Sequence, residues 1–342
     1  MRRRLIAFLL LASFLLTAVG CAAGQTSVDT QPETASAAAE ETTASIDTPS
    51  ETEFATDPLA PETESETASE VESETETESE TETESETEPP VDPEPTELDK
   101  NKTYMILFIG NSYTYFANMP SRYFGEIMKS AGYKVRVISQ TKGGWTLLKS
   151  ANPDDELGSR IASTMRSKQL DFVVMQEQSM TPALNIGAFY SGVRKLDEKI
   201  RENGATPILY ATWGRKQGSG DLTDYGLTSE TMTWKLAAAY GTIGKKLDIP
   251  VAHVGLAFWD ITQNQRNINL YDPDLSHPSE AGSYLAALTI FARITGIDPT
   301  TIDYDGGVGS EVDALLKEAA RKAVFETTEI PEEYLAEAER RK

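Results

Sequence analysis

The stretch Tyr104-Met105-Ile106-Leu107-Phe108-Ile109-Gly110-Asn111-Ser112 decides the fold of this chain. Its first six residues are all apolar, and a short apolar run bounded by turn residues is typical of a strand buried on both faces. The next three residues, Gly110, Asn111 and Ser112, are of types that favour turns and helix starts. The stretch therefore predicts a buried strand that ends in a turn bearing a serine hydroxyl.

Four further short apolar runs also predict strands: Val135–Ser139, Asp171–Met175, Pro207–Ala211 and Ile249–Val254. Apolar residues at helical spacing predict helices between and after them: Pro120–Ala131, Ile186–Asn203, Glu230–Leu247, Pro278–Thr295 and Glu311–Phe325. Alternating strands and helices predict an α/β fold, a three-layer α/β/α sandwich around a central, mainly parallel five-stranded sheet. Ligands of such sheets bind beyond the carboxyl ends of the strands, where Ser112 is expected.

The first 20 residues have the layout of a secretory signal peptide, with three arginines followed by an apolar stretch, Leu5–Leu16, and small residues. They end in Ala18-Val19-Gly20-Cys21, which resembles a bacterial lipobox. The resemblance implies that Cys21 becomes a lipidated N-terminus, with palmitate among the acyl groups. Cys21 is the only cysteine, so no intramolecular disulfide can form. We therefore expect an acyl anchor at the extracytoplasmic face of a bacterial cell membrane.

Residues 21–100 form a Glu-, Ser-, Thr- and Pro-rich segment that predicts a disordered tether, because dense like charge and few apolar residues cannot build a core. Residues 22–100 contain 25 acidic residues and one lysine, and the leader contains three arginines. The net charge of the whole chain is −23, so residues 101–342 carry only −2. A tether of this length spans roughly 50 Å root-mean-square.

Residues 101–300 are long enough for one domain with its own core, and residues 301–342 predict a helical extension. No basic stripe points to nucleic acid, and no glycine-rich phosphate loop points to a nucleotide. The chain has two histidines, and the domain has no cysteine. We therefore expect no metal site and no cofactor.

The motif Asp274-Leu275-Ser276-His277 precedes a predicted helix and brings a carboxylate close to an imidazole. A serine hydroxyl becomes a strong nucleophile when a base takes its proton and a third group orients that base. The motif predicts that His277 is the base for Ser112 and that Asp274 orients it, with Asp272 as a reserve candidate. Taken alone, Gly110-Asn111-Ser112 is more typical of an ordinary strand-to-helix turn and Gln176-Glu177-Gln178-Ser179 of a polar loop, whereas the Asp274 motif is equally typical of a helix cap.

Together these motifs resemble the SGNH (GDSL-type) hydrolases, over roughly residues 103–297. That family has a serine after the first strand, a glycine after the second, an asparagine-bearing loop after the third, and a late Asp-x-x-His. Here the corresponding segments are Gly110-Asn111-Ser112-Tyr113-Thr114, Lys142-Gly143-Gly144-Trp145, Gln176-Glu177-Gln178-Ser179 and Asp274-Leu275-Ser276-His277. The resemblance implies the flavodoxin-like fold of that family and an esterase-type serine hydrolase.

Two of the segments depart from the family pattern, since the first reads Gly-Asn-Ser rather than Gly-Asp-Ser and the third lacks the Gly-x-Asn-Asp sequence. By position, Gln178 stands where the family has its asparagine, and its amide offers the same N–H donor. The resemblance therefore implies an oxyanion hole formed by the backbone N–H groups of Ser112 and Gly144 and by the side chain of Gln178. Gln176 is the alternative donor.

The activity that we expect is hydrolysis of carboxylic esters, with O-acetyl groups on a small-molecule or polysaccharide carbohydrate as the candidate substrate. Trp213 follows the fourth predicted strand and is a candidate for the substrate rim, although a core position is as consistent with its sequence context. The alternative is a surface lipoprotein that binds carbohydrate on the same fold without catalysis. A lipase or thioesterase acting on lipid is a third possibility.

Overall fold

The computed structural model describes residues 98–265 and 267–341. The predicted signal peptide, Cys21 and residues 21–97 of the predicted tether lie outside the described residues. The described part begins at Leu98, whose side chain packs against the core. Within it, no helix combines the length and the apolar character that a membrane span requires.

A parallel five-stranded sheet forms the centre of the domain, with the strand order β2-β1-β3-β4-β5. Its strands are β1 (Thr103–Gly110), β2 (Lys134–Thr141), β3 (Phe172–Met175), β4 (Thr206–Tyr210) and β5 (Val251–Ala252). Along β1, Ile106 and Phe108 enter one core cluster, while Leu107 and Ile109 enter the other. Because both faces are buried, the apolar run of β1 is continuous rather than alternating. The predicted α/β fold class is confirmed.

Twelve α-helices occur among the described residues. They are α1 (Ser112–Tyr115), α2 (Gly125–Ser130), α3 (Leu147–Ser150), α4 (Glu156–Ser167), α5 (Thr181–Leu184), α6 (Ile186–Glu202), α7 (Gly220–Asp224), α8 (Ser229–Leu247), α9 (Val254–Asn264), α10 (Glu280–Thr295), α11 (Ser310–Phe325) and α12 (Glu332–Arg340). Shorter helical turns occupy Phe116–Asn118, Pro120–Phe124 and Pro299–Thr301. Buried residues of α4, α6 and α8 share one core cluster, and those of α2, α9, α10 and α11 share the other. Helices therefore cover both faces of the sheet.

Several elements differ from the expectation. The predicted strand Ile249–Val254 is reduced to two residues, and Val254 already begins α9. The predicted helix Pro120–Ala131 starts as a π-helical turn and becomes α2 only at Gly125. Seven of the helices were not predicted: the short helices α1, α3, α5 and α7, and the longer helices α4, α9 and α12.

The C-terminal helices pack on the domain. In α11, Leu316, Ala319 and Ala320 are fully or almost fully buried in the core cluster that contains α9 and α10. Ala338 of α12 is buried in the other cluster. Residues 301–341 thus contribute to both layers of helices.

Candidate active site

Ser112 lies at the point where β1 gives way to α1. The side chain of Asn111 caps this helix by accepting a hydrogen bond from the backbone N–H of Tyr113 at 3.1 Å. The serine is only half-buried, although the last five residues of β1, from Ile106 to Gly110, are all buried. A reacting group that ends a buried strand in this way is held on a rigid element and remains open to a substrate.

Gly110 allows the turn Gly110-Asn111-Ser112, which we call the nucleophile turn, to pack closely on the residue that follows the neighbouring strand β3. A Cβ atom at this position would lie 2.5 Å from Oε1 of Gln176 and 2.5 Å from Oγ1 of Thr114. That same Oε1 accepts hydrogen bonds from the backbone N–H of Asn111 at 2.9 Å and from the Thr114 hydroxyl at 2.8 Å. Gln176 is therefore a fixed support beneath the turn.

The loop that carries Asp274 and His277 is held together by hydrogen bonds to the Asp274 carboxylate. One carboxylate oxygen of Asp274 accepts the backbone N–H groups of Ser276 at 3.0 Å and His277 at 2.9 Å, and the other contacts Nδ1 of the imidazole. Leu275, between them, has a φ of +61°, which is rare for a residue with a side chain. Such strain persists only where the surroundings enforce it.

The fold brings Ser112 to His277 across 165 residues of chain, with 2.7 Å between Oγ and Nε2. Partial burial alone would raise the pKa of Asp274. The hydrogen bonds from the His277 ring and from two backbone N–H groups outweigh that effect and hold the pKa below its usual value. Asp274, rather than the reserve candidate Asp272, contacts the imidazole, while Asp272 uses its backbone N–H to donate to the carbonyl of His277 at 2.8 Å.

Aromatic rings hold the imidazole in place. The ring of Phe116 stacks on His277 with 4.7 Å between centroids and 14° between planes. Tyr113 meets the imidazole edge-on at 5.6 Å, and its hydroxyl lies 2.7 Å from Oγ of Ser276. Sequence reasoning missed these contacts, although Tyr113 and Phe116 immediately follow the nucleophile.

Trp213 does not lie at the rim of the site, and that expectation is corrected by its complete burial. Its indole is sandwiched between Tyr113 at 4.6 Å and Phe258 at 4.1 Å, with both pairs of rings within 5° of parallel. Its Nε1–H donates to the carbonyl of Ser276 at 3.1 Å. Trp213 therefore supports the histidine loop from the core side.

Gly144 lies in the loop after β2, which is tied to the nucleophile turn. The Asn111 side-chain NH₂ donates to the carbonyl of Trp145 at 3.1 Å. Gly144 itself has a φ of +65°, and a Cβ at this position would meet nothing within 4 Å. The space on the Cβ side of Gly144 is therefore open, and a glycine adopts this positive φ without strain.

The two glutamines after β3 have different surroundings. Oε1 of Gln178 accepts the backbone N–H groups of Met180 and Thr181 at 2.9 and 3.0 Å, and the hydroxyl of Thr181 at 3.1 Å. Backbone N–H groups only donate, so these contacts fix which end of the amide is the oxygen. The NH₂ end of Gln178 is then the end available to another acceptor. Gln176 instead donates its own NH₂ to the carbonyl of Glu177 inside the core.

Glu177 is a buried carboxyl group that sequence reasoning treated only as part of a polar loop. It accepts the backbone N–H of Leu147, with both oxygens at 3.2 Å, and that of Gln178 at 2.7 Å. Burial raises its pKa to about 7, and the two backbone hydrogen bonds offset only part of that effect. The signal available in the sequence was an acidic residue directly after a buried strand.

Comparison with known proteins gives no match to any protein-family model and none to any curated protein. Solved structures do match. A DUF4886 family protein from Bacteroides uniformis is 17% identical, with 68% of this chain and 98% of that chain covered and a TM-score of 0.59. An acetylxylan esterase from Geobacillus stearothermophilus is 15% identical, with 57% and 95% covered and a TM-score of 0.42.

A candidate SGNH hydrolase from Slackia heliotrinireducens is 30% identical to this chain, with a TM-score of 0.50. The match covers 56% of this chain and the whole of that one. The similarity therefore extends over the full length of that protein. Together with the parallel sheet and the order of the motifs, this similarity leads to one conclusion: the chain belongs to the SGNH hydrolase superfamily.

Proposed function

We propose that this protein hydrolyses carboxylic esters with Ser112 as the nucleophile, His277 as the general base and Asp274 as its orienting group. The observation that carries the proposal is the 2.7 Å distance between the serine Oγ and the imidazole Nε2. The Asp274 contact at Nδ1 supports it further. A carboxylate accepts the Nδ1 proton, so the lone pair of Nε2 is directed at the serine hydroxyl.

In the first half of the reaction, Oγ of Ser112 attacks the ester carbonyl carbon while His277 takes the hydroxyl proton. The tetrahedral intermediate collapses when the imidazolium returns that proton to the leaving alcohol, which leaves an acyl group on the serine. In the second half, His277 takes a proton from water, and the resulting hydroxide attacks the acyl carbon. When this second intermediate collapses, the imidazolium of His277 returns its proton to Oγ of Ser112, the carboxylic acid is released and the free serine is restored.

The negative charge that develops on the carbonyl oxygen requires donors. We assign this role to the backbone N–H groups of Ser112 and Gly144 and to the side-chain NH₂ of Gln178. The open space at Gly144 and the fixed amide orientation of Gln178 favour the assignment. Each such donor contributes about 3 kcal/mol to transition-state stabilisation in comparable sites.

We also propose that Cys21 anchors the enzyme by lipid to the extracytoplasmic face of a bacterial membrane, and that its substrates are O-acetylated carbohydrates. The lipobox-like sequence supports the anchor. Metabolic labelling with an alkyne-bearing palmitate should mark the natural chain and leave a Cys21→Ser variant unlabelled. Equal labelling of both chains would rule out this attachment point.

The catalytic part of the proposal is tested with a fluorophosphonate probe and with p-nitrophenyl acetate. An activated serine reacts covalently with the probe, so Ser112 should be the labelled residue. In Ser112→Ala, labelling should disappear and kcat/KM should fall at least about 10³-fold. Ser130→Ala, which changes an exposed serine at the end of α2, is the matched control and should keep full activity.

Failure of Ser112 to react with the probe, in a folded protein, would favour the carbohydrate-binding alternative. Retention of turnover in Ser112→Ala would show that another group is the nucleophile. Circular dichroism of each variant separates these outcomes from a loss of fold.

A further inference from the structure

A groove of about 480 Å³ lies beside the loop that bears Asp274 and His277. Its polar lining includes Lys216, Gln217, Glu230, Gln263 and Asn269, and its aromatic lining includes Trp259. This volume is within the range of about 300–1,000 Å³ that is usual for small-molecule sites. The groove is therefore large enough for a small-molecule ligand. Ser112, Asp274 and His277 are not among the residues that line it.

Trp259 provides a flat apolar surface in this groove. Its ring is half-buried, and the ring of Trp234 braces it in an edge-on contact at 5.8 Å between centroids. A braced aromatic ring loses little conformational entropy when a ligand packs against it. The C–H face of a sugar ring is a suitable partner for such a surface.

Two of the polar side chains around Trp259, those of Gln217 and Asn269, are held in position by hydrogen bonds. Oε1 of Gln217 accepts the backbone N–H of Ser229 at 3.2 Å. The NH₂ group of Gln217 can therefore donate a hydrogen bond to a ligand. Asn269 accepts from Nζ of Lys216 at 3.2 Å. Gln263 is exposed at the edge of the groove. Fixed amide groups beside an aromatic ring provide both donors and acceptors for hydroxyl groups.

The charge of the lining favours a neutral ligand. Among the described residues that line the groove, Lys216 is the only cation and Glu230 the only anion. A phosphate or polyanion would require an excess of positive charge. A bound acyl chain would cover the amide groups of the lining without offering them hydrogen bonds. Each polar group buried in this way costs about 1–3 kcal/mol of binding free energy.

The groove and the catalytic loop share a wall. The backbone N–H of Lys216 donates to the carbonyl of Leu275 at 2.9 Å, and Leu275 lies between Asp274 and His277. On the other side of the loop, the hydroxyl of Ser279 donates to the carbonyl of Asn269 at 2.8 Å. A ligand that extends from the groove along this wall would reach the loop of the imidazole.

We propose that this groove binds a neutral oligosaccharide, with one sugar ring packed on Trp259 and its hydroxyl groups bonded to Gln217 and Gln263. The sugar chain would be the one whose ester is cleaved at Ser112, and that link rests on the proposed function. Binding of the sugar itself does not depend on catalysis.

Calorimetry with Ser112→Ala protein tests binding separately from turnover. The probes are cellohexaose, xylohexaose and the hexamer of N-acetylglucosamine. At least one hexamer should bind, and adding Trp259→Ala should weaken its affinity at least about 10-fold. Gln263→Ala should weaken it less. Phe325→Ala, which removes an aromatic ring that is 43% exposed and does not line the groove, should leave it unchanged.

Turnover provides the second arm of the test. In the otherwise natural chain, Trp259→Ala should leave kcat/KM for p-nitrophenyl acetate unchanged and should raise KM for the acetylated form of the hexamer that binds. The groove proposal is overturned if none of the three hexamers binds, or if Trp259→Ala does not affect binding. Absence of ester turnover with normal hexamer binding would overturn the proposed function and leave the groove proposal intact.

Discussion

The carboxyl group of Glu177 holds the backbone nitrogen of Leu147, which lies 3.2 Å from both of its oxygens. Leu147 begins the helix that follows Gly144, and Glu177 directly precedes Gln178. One buried side chain thus joins the two loops to which we assign the oxyanion donors. Its pKa of about 7 makes this connection dependent on pH.

Glu177→Gln should make stability less dependent on pH. The unfolded chain releases the Glu177 proton near the ordinary value of 4.5, and the folded protein releases it near 7. Between these values the folded state binds more protons, so the free energy of unfolding of the natural protein falls as pH rises. At about 1.4 kcal/mol per pKa unit, this loss is about 3 kcal/mol. Urea unfolding at pH 5, 6 and 7.5 measures it, and parallel profiles for the two proteins would contradict the prediction.

Gly110→Ala should destabilise the protein by about 1–3 kcal/mol, because overpacking a fixed core displaces its neighbours. Here the added methyl group would lie 2.5 Å from the polar atoms of Gln176 and Thr114. The control is Gly220→Ala, where a Cβ would meet nothing within 4 Å. Thermal unfolding of both variants checks the prediction, which fails if they melt at the same temperature.

Asp274→Asn should lower kcat about 10³- to 10⁴-fold and leave the fold intact. The amide oxygen can still accept the backbone N–H groups of Ser276 and His277, but the NH₂ group would face Nδ1 of the imidazole. That arrangement favours the tautomer with its proton on Nε2, which cannot accept the proton of Ser112. Asp272→Asn is the matched control and should retain activity on p-nitrophenyl acetate. Equal losses in the two variants would indicate a general effect of charge.

Trp213→Phe should lower kcat and leave KM for the substrate nearly unchanged. The substitution keeps a ring in the core but removes the hydrogen bond to the carbonyl of Ser276. We expect a loss of about 1–2 kcal/mol of stability. Steady-state kinetics on an acetylated oligosaccharide separates the two parameters. A change confined to KM would instead indicate that the substrate contacts Trp213.

Much of the fold could be predicted because each central strand is a short apolar run between polar segments. The length of β5 was overestimated, because apolar residues continue on both sides of His253 and hydropathy alone cannot mark where a two-residue edge strand ends and α9 begins. The third motif was ambiguous in a similar way, because the sequence alone did not decide which glutamine corresponds to the asparagine of the family. Gln176 and Gln178 differ in the sequence only by two positions, and it is their hydrogen-bond partners that separate a buried support from an available donor.

The position of Trp213 could not be predicted from its neighbours in sequence. It follows a buried strand at the edge where ligands bind, and either a core or a rim position fits that location. Its burial results from Tyr113 and Phe258, which are 100 and 45 residues away. Long-range packing of this kind has no local signature.

The column of parallel rings from Phe258 through Trp213 to Tyr113 connects the interior of the protein to the imidazole. If heating releases the histidine loop from the core, the fully enclosed indole of Trp213 loses its hydrogen bond to that loop, and its N–H is left without that partner. Thermal inactivation and the cooperative loss of tertiary structure should therefore coincide.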